Sequence, residues 1–194
     1  HMCRERRWPA VRLDGSMGIK KRNKIVKDFH EPDRDNFVFL LSSKAGGCGL
    51  NLIGANRLVL FDPDWNPATD KQAAARVWRD GQKKKCFVYR FLATGSIEEK
   101  VFQRQISKEG LVGLVSKGKA GKHETSSDQL RELFKLPTGE SPSDTLDNCG
   151  VSSREGEVWH QVGEPAEEDL KNWAHHHTLE HLPDEVMQKS AGKD

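Results

Sequence analysis

Residues 62–82 read DPDWNPATDKQAAARVWRDGQ, and the reading of this stretch decides the fold. The apolar run Leu58-Val59-Leu60-Phe61 comes just before it, as expected of a buried strand. Asp62 to Asn66 then reads as the loop at that strand's carboxyl end. Asn66 followed by Pro67 pairs an N-cap residue with proline at the first helical position, so a helix is predicted to begin there. On that helix Gln72 and Arg76 are four apart and Arg76 and Arg79 three apart, which puts all three on one face. Two planar guanidiniums and an amide beside the end of a parallel strand suit a polyanion such as a nucleoside triphosphate. The plainer alternative is a solvated helix face with two ordinary arginines, and the three residues alone do not separate the two readings.

Upstream, Ala10 to Leu13 has the character of a short strand, and Asp14-Gly15 turns the chain. Ser16 is placed to cap a helix running to about Phe29, with Ile25, Val26 and Phe29 at core spacing. The other face of that helix carries Lys20, Lys21, Arg22, Lys24 and Lys27, either a polyanion-facing surface or simple solvation. Phe37 to Leu41 is a second continuous apolar run, as expected for a parallel strand covered on both faces. SSKAGGCGLNL follows it. Ser42 and Ser43 offer hydroxyls and Lys44 a charge, and Gly46, Gly47 and Gly49 would let backbone amides approach a phosphate at a strand's carboxyl end.

Downstream, Lys83-Lys84-Lys85 reads as a solvated turn and Cys86 to Leu92 as the next strand. Ser96 with Glu99 three residues on forms a capping box, opening a helix through Ile97, Val101, Phe102 and Ile106. Strands and helices that alternate over residues 10 to 110 argue an α/β, mostly parallel architecture. From Ser116 the pattern breaks into the linker SKGKAGKHETSS, the amphipathic segment DQLRELFKL and a polar stretch. A further helix is expected within residues 164–181.

The motifs resemble the Swi/Snf-like double-stranded DNA translocases of helicase superfamily two. QAAARVWRDGQ, between VLFDPDWNP and TGSIEEK, is similar to their last helicase motif. SSKAGGCGLNLIGANRLVLFD is similar to the preceding motif and VRLDG to the one before that. Over roughly residues 3 to 136 the block most resembles the Rad-type recombination-repair branch. The resemblance implies a RecA-like helicase C-terminal lobe, N-terminally truncated, over residues 3–115, with the helix after TGSIEEK as a brace. Residues 116–194 would then be a short helical and irregular acidic extension. It implies arginine fingers at Arg76 and Arg79, nucleotide contacts at Gln72, Gly49 and Asp80, and DNA-backbone contacts at Ser43, Lys44, Gly47 and Asn51. It also implies ATP and magnesium held mainly by a missing N-terminal motor lobe. The partners implied are double-stranded DNA and a strand-exchange recombinase filament, and the location is the nucleus.

Composition is consistent with such a reading. The chain has 194 residues, enough for one sizeable core, with 31% charged and 35% hydrophobic residues. No apolar run approaches the roughly 20 residues that a membrane-spanning helix needs. Four scattered cysteines form no disulfide framework, which fits a reducing intracellular compartment. The net charge of +2 conceals an asymmetry. Residues 1–122 hold 25 Lys and Arg against 13 Asp and Glu, and residues 123–194 hold 6 against 16. A basic body suggests a polyanion partner, although two solvated surfaces of opposite sign would give the same count.

Three further features constrain the chemistry. No GxxxxGK followed by Ser or Thr occurs, and Asp184-Glu185 follows Pro183 rather than a buried strand. The phosphate cradle and magnesium carboxylate needed for phosphoryl transfer are therefore absent from this sequence, which describes half of an ATPase. Cys149, His160, His175, His176, His177 and His181 are zinc-ligand types, and DLKNWAHHH followed by LPDEV is similar to part of a small C-terminal zinc-binding element of the repair branch. Cys149 lacks a CxxC partner, however, so the alternatives are a bound zinc and, favoured by the spacing, an exposed histidine-rich tail. The rival readings are a non-catalytic DNA- or protein-binding module, which has no need of paired arginines, and an RNA helicase lobe, which DPDWNP and RDGQ resemble less.

Overall fold

Alternation of short apolar runs with amphipathic segments produces β-α-β units in the computed structural model. It describes residues 1–31, 33–42, 49–116, 145, 173, 176, 178–180 and 182–191. The elements are α1 (Met2–Glu5), β1 (Ala10–Leu13), α2 (Ile19–His30), β2 (Val38–Leu41), β3 (Arg57–Leu60), α3 (Pro67–Ala74), β4 (Phe87–Arg90), α4 (Ile97–Ser116) and α5 (Glu185–Ala191). Two compact units are formed, residues 1–59 with 68–89, and residues 60–67 with 90–194.

In the first unit β1 and β2 run parallel, from Ala10 opposite Val38 to Leu13 opposite Leu41. Parallel neighbours need a crossover, and α2 supplies it. Leu13 and Leu50 form the core, with Met17, Val26, Phe39 and Leu41 packed against them. Phe29 of α2 meets Phe39 edge-on at 4.9 Å. This arrangement corrects the expectation that β2 is covered on both faces. Phe39 and Leu41 pack into that core, whereas Leu40, on the opposite face, is 49% exposed. The same period of two appears in β3, where Leu60 is buried and Val59 is exposed, as is Phe61 just beyond.

The start of α2 also departs from expectation. Asp14 Oδ1 accepts from the amide (3.1 Å) and the hydroxyl (2.5 Å) of Ser16. Ser16 is thereby held in the turn, and Gly18 occupies the N-cap without a side-chain bond. These bonds hold the Asp14 carboxyl below its ordinary range, with the Arg12 guanidinium 3.2 Å away as a lesser cause. Arg22 is not part of the solvated basic face either. Its Nε donates to the Met17 carbonyl at 2.7 Å and its Nη2 to that of Gly15 at 3.2 Å, tying the helix to the loop before it. Lys20, Lys21, Lys24 and Lys27 remain exposed.

β3 pairs with β4. The amide of Phe87 donates to Asn56 and that of Phe91 to Leu60, the same spacing in both bonds, as parallel strands give. α3 is the crossover between them.

The second unit is organised on α4. Phe102 and Ile106 form its core with Leu92 and Trp173. The Arg90 guanidinium lies over the Phe102 ring (5.2 Å) and the Trp173 ring (5.3 Å). Gln105, wholly buried, accepts from Arg90 Nη1 and donates to the Asp64 carbonyl. The expected capping box is present in altered form. Ser96 Oγ accepts from the Glu98 amide at 3.2 Å, but Glu99 reaches past Ser96 to the Gly95 amide at 2.9 Å. The other oxygen of Glu99 accepts from the Thr145 hydroxyl (2.6 Å) and amide (3.2 Å), which explains why a carboxylate is buried there. Asp184 caps α5 through the Val186 amide at 3.1 Å. Most of residues 116–194, including Cys149, His160, His175, His177 and His181, lie outside the described residues. Among the described residues no group of three His, Cys, Asp or Glu side chains is placed to hold a metal.

Candidate functional site

The predicted site residues that the structure describes, Gly49, Asn51, Gln72, Arg76, Arg79 and Asp80, all belong to the first unit. Ser43, Lys44 and Gly47 lie outside the described residues. α3 begins at Pro67 as its sequence predicts, and the Asn66 amide is held by Asp64 Oδ1 at 2.9 Å just before it. It ends earlier than predicted, at Ala74. Only Gln72 of the three residues is on the helix. Arg76 and Arg79 follow on a succession of turns.

A helix ending at Arg79 would leave the Arg76 and Val77 carbonyls without helical partners in any case. Both are taken from outside: Arg76 O accepts from the Leu52 amide at 3.0 Å, and Val77 O from Gln82 Nε2 at 3.0 Å. The last turn tightens, with Arg76 N donating to Ala73 O and Val77 N to Ala74 O, three residues back rather than four. Burial of Val77, 1% exposed, anchors the turn. Gly81 then adopts a φ of +93°, a conformation that a side chain would strain, and the chain reverses toward β4.

This path corrects the expectation of one shared face. Gln72, Arg79 and Asp80 are exposed, whereas Arg76 is 8% exposed and packed within the unit. The turn nevertheless brings two predicted site residues together. Arg79 Nη1 donates to the Gly49 carbonyl at 3.4 Å. Gly49 itself has a φ of +61°, the left-handed conformation that favours glycine. Asn51 Oδ1 accepts from the Ile53 amide at 3.3 Å, an Asx turn that shapes the same segment. The exposed fork of Arg79 thus lies against the backbone of the glycine-containing segment, and four of its five N–H donors are not used in that bond.

One residue that matters here was not singled out from sequence. Gln82, the last residue of RDGQ, donates through Nε2 to the carbonyls of Ile53 (3.2 Å), Ala55 (2.9 Å) and Val77 (3.0 Å). Its Oε1 accepts from the Lys84 amide at 3.0 Å. Nothing local signals the bonds to Ala55 and Ile53, which lie 27 and 29 residues upstream. Cys86 is a neighbour of the same turn, with Sγ 3.7 Å from Val77 O, and burial raises its thiol pKa, the Gln82 hydrogen bond acting against that.

Residues 1–81 match the helicase conserved C-terminal domain. The DNA repair and recombination protein RAD54 of Oryza sativa is 46% identical over 241 residues, covering 100% of this chain and 25% of its own length. The RAD54-like protein of Homo sapiens is 53% identical over 197 residues, covering 96% of this chain and 25% of its own. The Saccharomyces cerevisiae RAD54 protein is 63% identical over 134 residues, covering 69% of this chain and 15% of its own. The chain therefore spans about a quarter of the length of the first two of these relatives. Among solved structures, the C-terminal part of the Fun30 ATPase domain superposes with a TM-score of 0.51 at 39% identity, covering 54% of this chain and 33% of that one. Motif order, parallel β-α-β units and these matches agree that the chain belongs to the Swi/Snf-like branch of helicase superfamily two, as a RecA-like helicase C-terminal lobe of the Rad54 kind.

Proposed function

We propose that this chain is the second motor lobe of an ATP-dependent double-stranded DNA translocase acting in homologous recombination and repair. The observation that carries the reading is the exposed Arg79 fork, held by its 3.4 Å bond on the Gly49 backbone. A guanidinium so placed is oriented by the lobe yet retains donors for an anion from outside. The names of the relatives, DNA repair and recombination proteins, support the choice of process.

In this reading residues 3–115 form the lobe, with α4 as its brace, and residues 116–194 are an extension. A first lobe holds ATP and magnesium, which together supply the phosphoryl group and neutralise part of its charge. Arg79 and Arg76 act as fingers on the charge that develops during transfer, and Gln72, Gly49 and Asp80 fix the nucleotide side of the cleft. Ser43, Lys44, Gly47 and Asn51 contact one DNA backbone, so opening and closing of the cleft advances the duplex. The chain alone is inactive as an ATPase in this account. Its partners are double-stranded DNA and a strand-exchange recombinase filament, and its location is the nucleus.

The test is made in a protein that joins this lobe to a first motor lobe. Arg79→Ala is expected to lower DNA-stimulated turnover by about 10³–10⁵-fold, the usual worth of an arginine finger. Folding and DNA affinity should stay near normal, and Arg79→Lys should recover little, because a point charge does not reproduce a planar fork. Arg76→Ala should lower turnover similarly and also cost stability, because that side chain is buried. Lys44→Ala should weaken duplex binding alike on all sequences and flatten its salt dependence. Near-normal turnover of folded Arg79→Ala at saturating ATP and DNA would overturn the reading.

A further inference from the structure

Two segments of the first unit carry the proposed site. Residues 49–55 hold Gly49 and Asn51, and residues 75–82 hold Arg76, Arg79 and Asp80. They are joined at three places. Arg79 reaches the Gly49 carbonyl, the Leu52 amide reaches the Arg76 carbonyl, and Gln82 reaches the Ile53 and Ala55 carbonyls. The first of these bonds is the longest, at 3.4 Å, and is made by an exposed side chain that the proposed function requires to move. The second is a single main-chain bond. Gln82 is different in kind, because one half-buried amide holds both segments, taking Ile53 O and Ala55 O from one and Val77 O from the other.

An amide nitrogen has two hydrogens, and here three carbonyls lie within 3.2 Å of it. At least one hydrogen is therefore shared, and the side chain can shift its bonds among the three acceptors without losing all of them. Its Oε1 is fixed meanwhile by the Lys84 amide, which anchors the group at the β4 side of the turn. Such a clamp lets residues 49–55 and 75–82 move as one body.

We propose that Gln82 is a positioning residue that couples the Gly49–Ala55 segment to the Arg76–Arg79 turn, so that a displacement of one carries the other. The proposal rests on the functional reading above, in which the first segment carries Asn51 of the DNA-contacting set and the second delivers the fingers. In this role Gln82 makes no contact of its own with nucleotide or DNA. It transmits, and its loss should uncouple DNA engagement from turnover without altering either binding event.

Gln82→Met removes the donors at similar volume, and Gln82→Asn keeps the amide but shortens its reach, which preserves folding should the methionine variant be unstable. Two measurements decide. Hydrogen exchange on this chain is expected to quicken in residues 49–55 and 75–82 together, with β1 and β2 unchanged. In the two-lobe protein, DNA-stimulated kcat is expected to fall about tenfold or more, since misplacement by about 1 Å can cost about 10²-fold. The DNA concentration giving half-maximal stimulation should move less than about twofold, a split that mere loss of stability does not produce. The asparagine variant should lie between wild type and methionine in both measurements. Exchange that quickens in only one segment, or kcat within about twofold of wild type in folded protein, overturns the proposal. So does a parallel fall of kcat and DNA affinity. If Arg79→Ala is inactive while Gln82→Met is normal, the coupling fails and the motor reading stands. If Arg79→Ala is normal, the motor reading itself fails.

Discussion

Two regions of the molecule fix their backbone with a buried or half-buried polar side chain, and they do it in opposite senses. Around the Arg76–Arg79 turn a neutral amide, Gln82, donates to three main-chain carbonyls. At the start of α4 a buried carboxylate, Glu99, accepts from the Gly95 amide and from the amide and hydroxyl of Thr145. A carbonyl has two lone pairs and tolerates a weak partner, whereas a buried N–H or O–H left without an acceptor forfeits its only bond. The donor-based region can rearrange cheaply and the acceptor-based region cannot. In the proposed motor the first would suit a turn that shifts during a cycle and the second a brace that does not.

The ranking of variants tests this contrast. Glu99→Ala should destabilise most, by about 3 kcal/mol in urea unfolding, because it strands several buried donors at once. Glu99→Gln should restore only part of that, since its own NH2 would face donors. Gly81→Ala comes next, at about 1–2 kcal/mol. The new Cβ would meet Ile53 Cδ1 at an ordinary 3.5 Å, so the cost comes from the backbone conformation rather than from crowding. Gln82→Met should cost about 1 kcal/mol, less than Glu99→Ala despite involving a similar number of bonds. If the order of Glu99→Ala and Gln82→Met is reversed, the contrast between the two regions is wrong.

The smallest effect concerns Cys86, beside the Gln82 turn. Burial raises the thiol pKa, so less thiolate is present at any given pH near 8. Alkylation by iodoacetamide should accordingly run several-fold slower than for free cysteine. A rate equal to that of free cysteine would mean that the turn opens readily even without a partner lobe.

Much of the fold was legible in the sequence because its signals are local. β1 falls on the predicted residues Ala10–Leu13, Pro67 starts α3, and Ser96 stands just ahead of α4. The errors arise where a polar group takes a partner that simple helix and surface rules assign elsewhere. Ser16 was expected to cap α2, but the Asp14 carboxylate holds it in the preceding turn. α3 was expected to continue through Arg79, but it ends at Ala74 in a tightened turn whose carbonyls Leu52 and Gln82 hold. Arg22 has the sequence character of a solvated residue and is pinned on two loop carbonyls instead. Of the candidate site, motif spacing singled out the two arginines. The burial of Arg76, the exposure of Arg79 and the bonds of Gln82 were not legible, since they depend on the tertiary path of the turn, with Arg79 and Gln82 bonded to residues 30 and 29 positions away.

The central claim is that Arg79 stabilises charge that develops only in the transition state. It is tested most directly by comparing affinities for two ligands in the two-lobe protein bound to duplex DNA. One is ATP, measured where turnover is blocked by omitting magnesium. The other is magnesium ADP with aluminium fluoride, which mimics the transferring phosphoryl group. Arg79→Ala should leave ATP affinity within about threefold of wild type while weakening the mimic by about 10³-fold or more, in step with its loss of kcat. Equal changes in both affinities, or none in either, would contradict the account and leave Arg79 a structural residue of its turn.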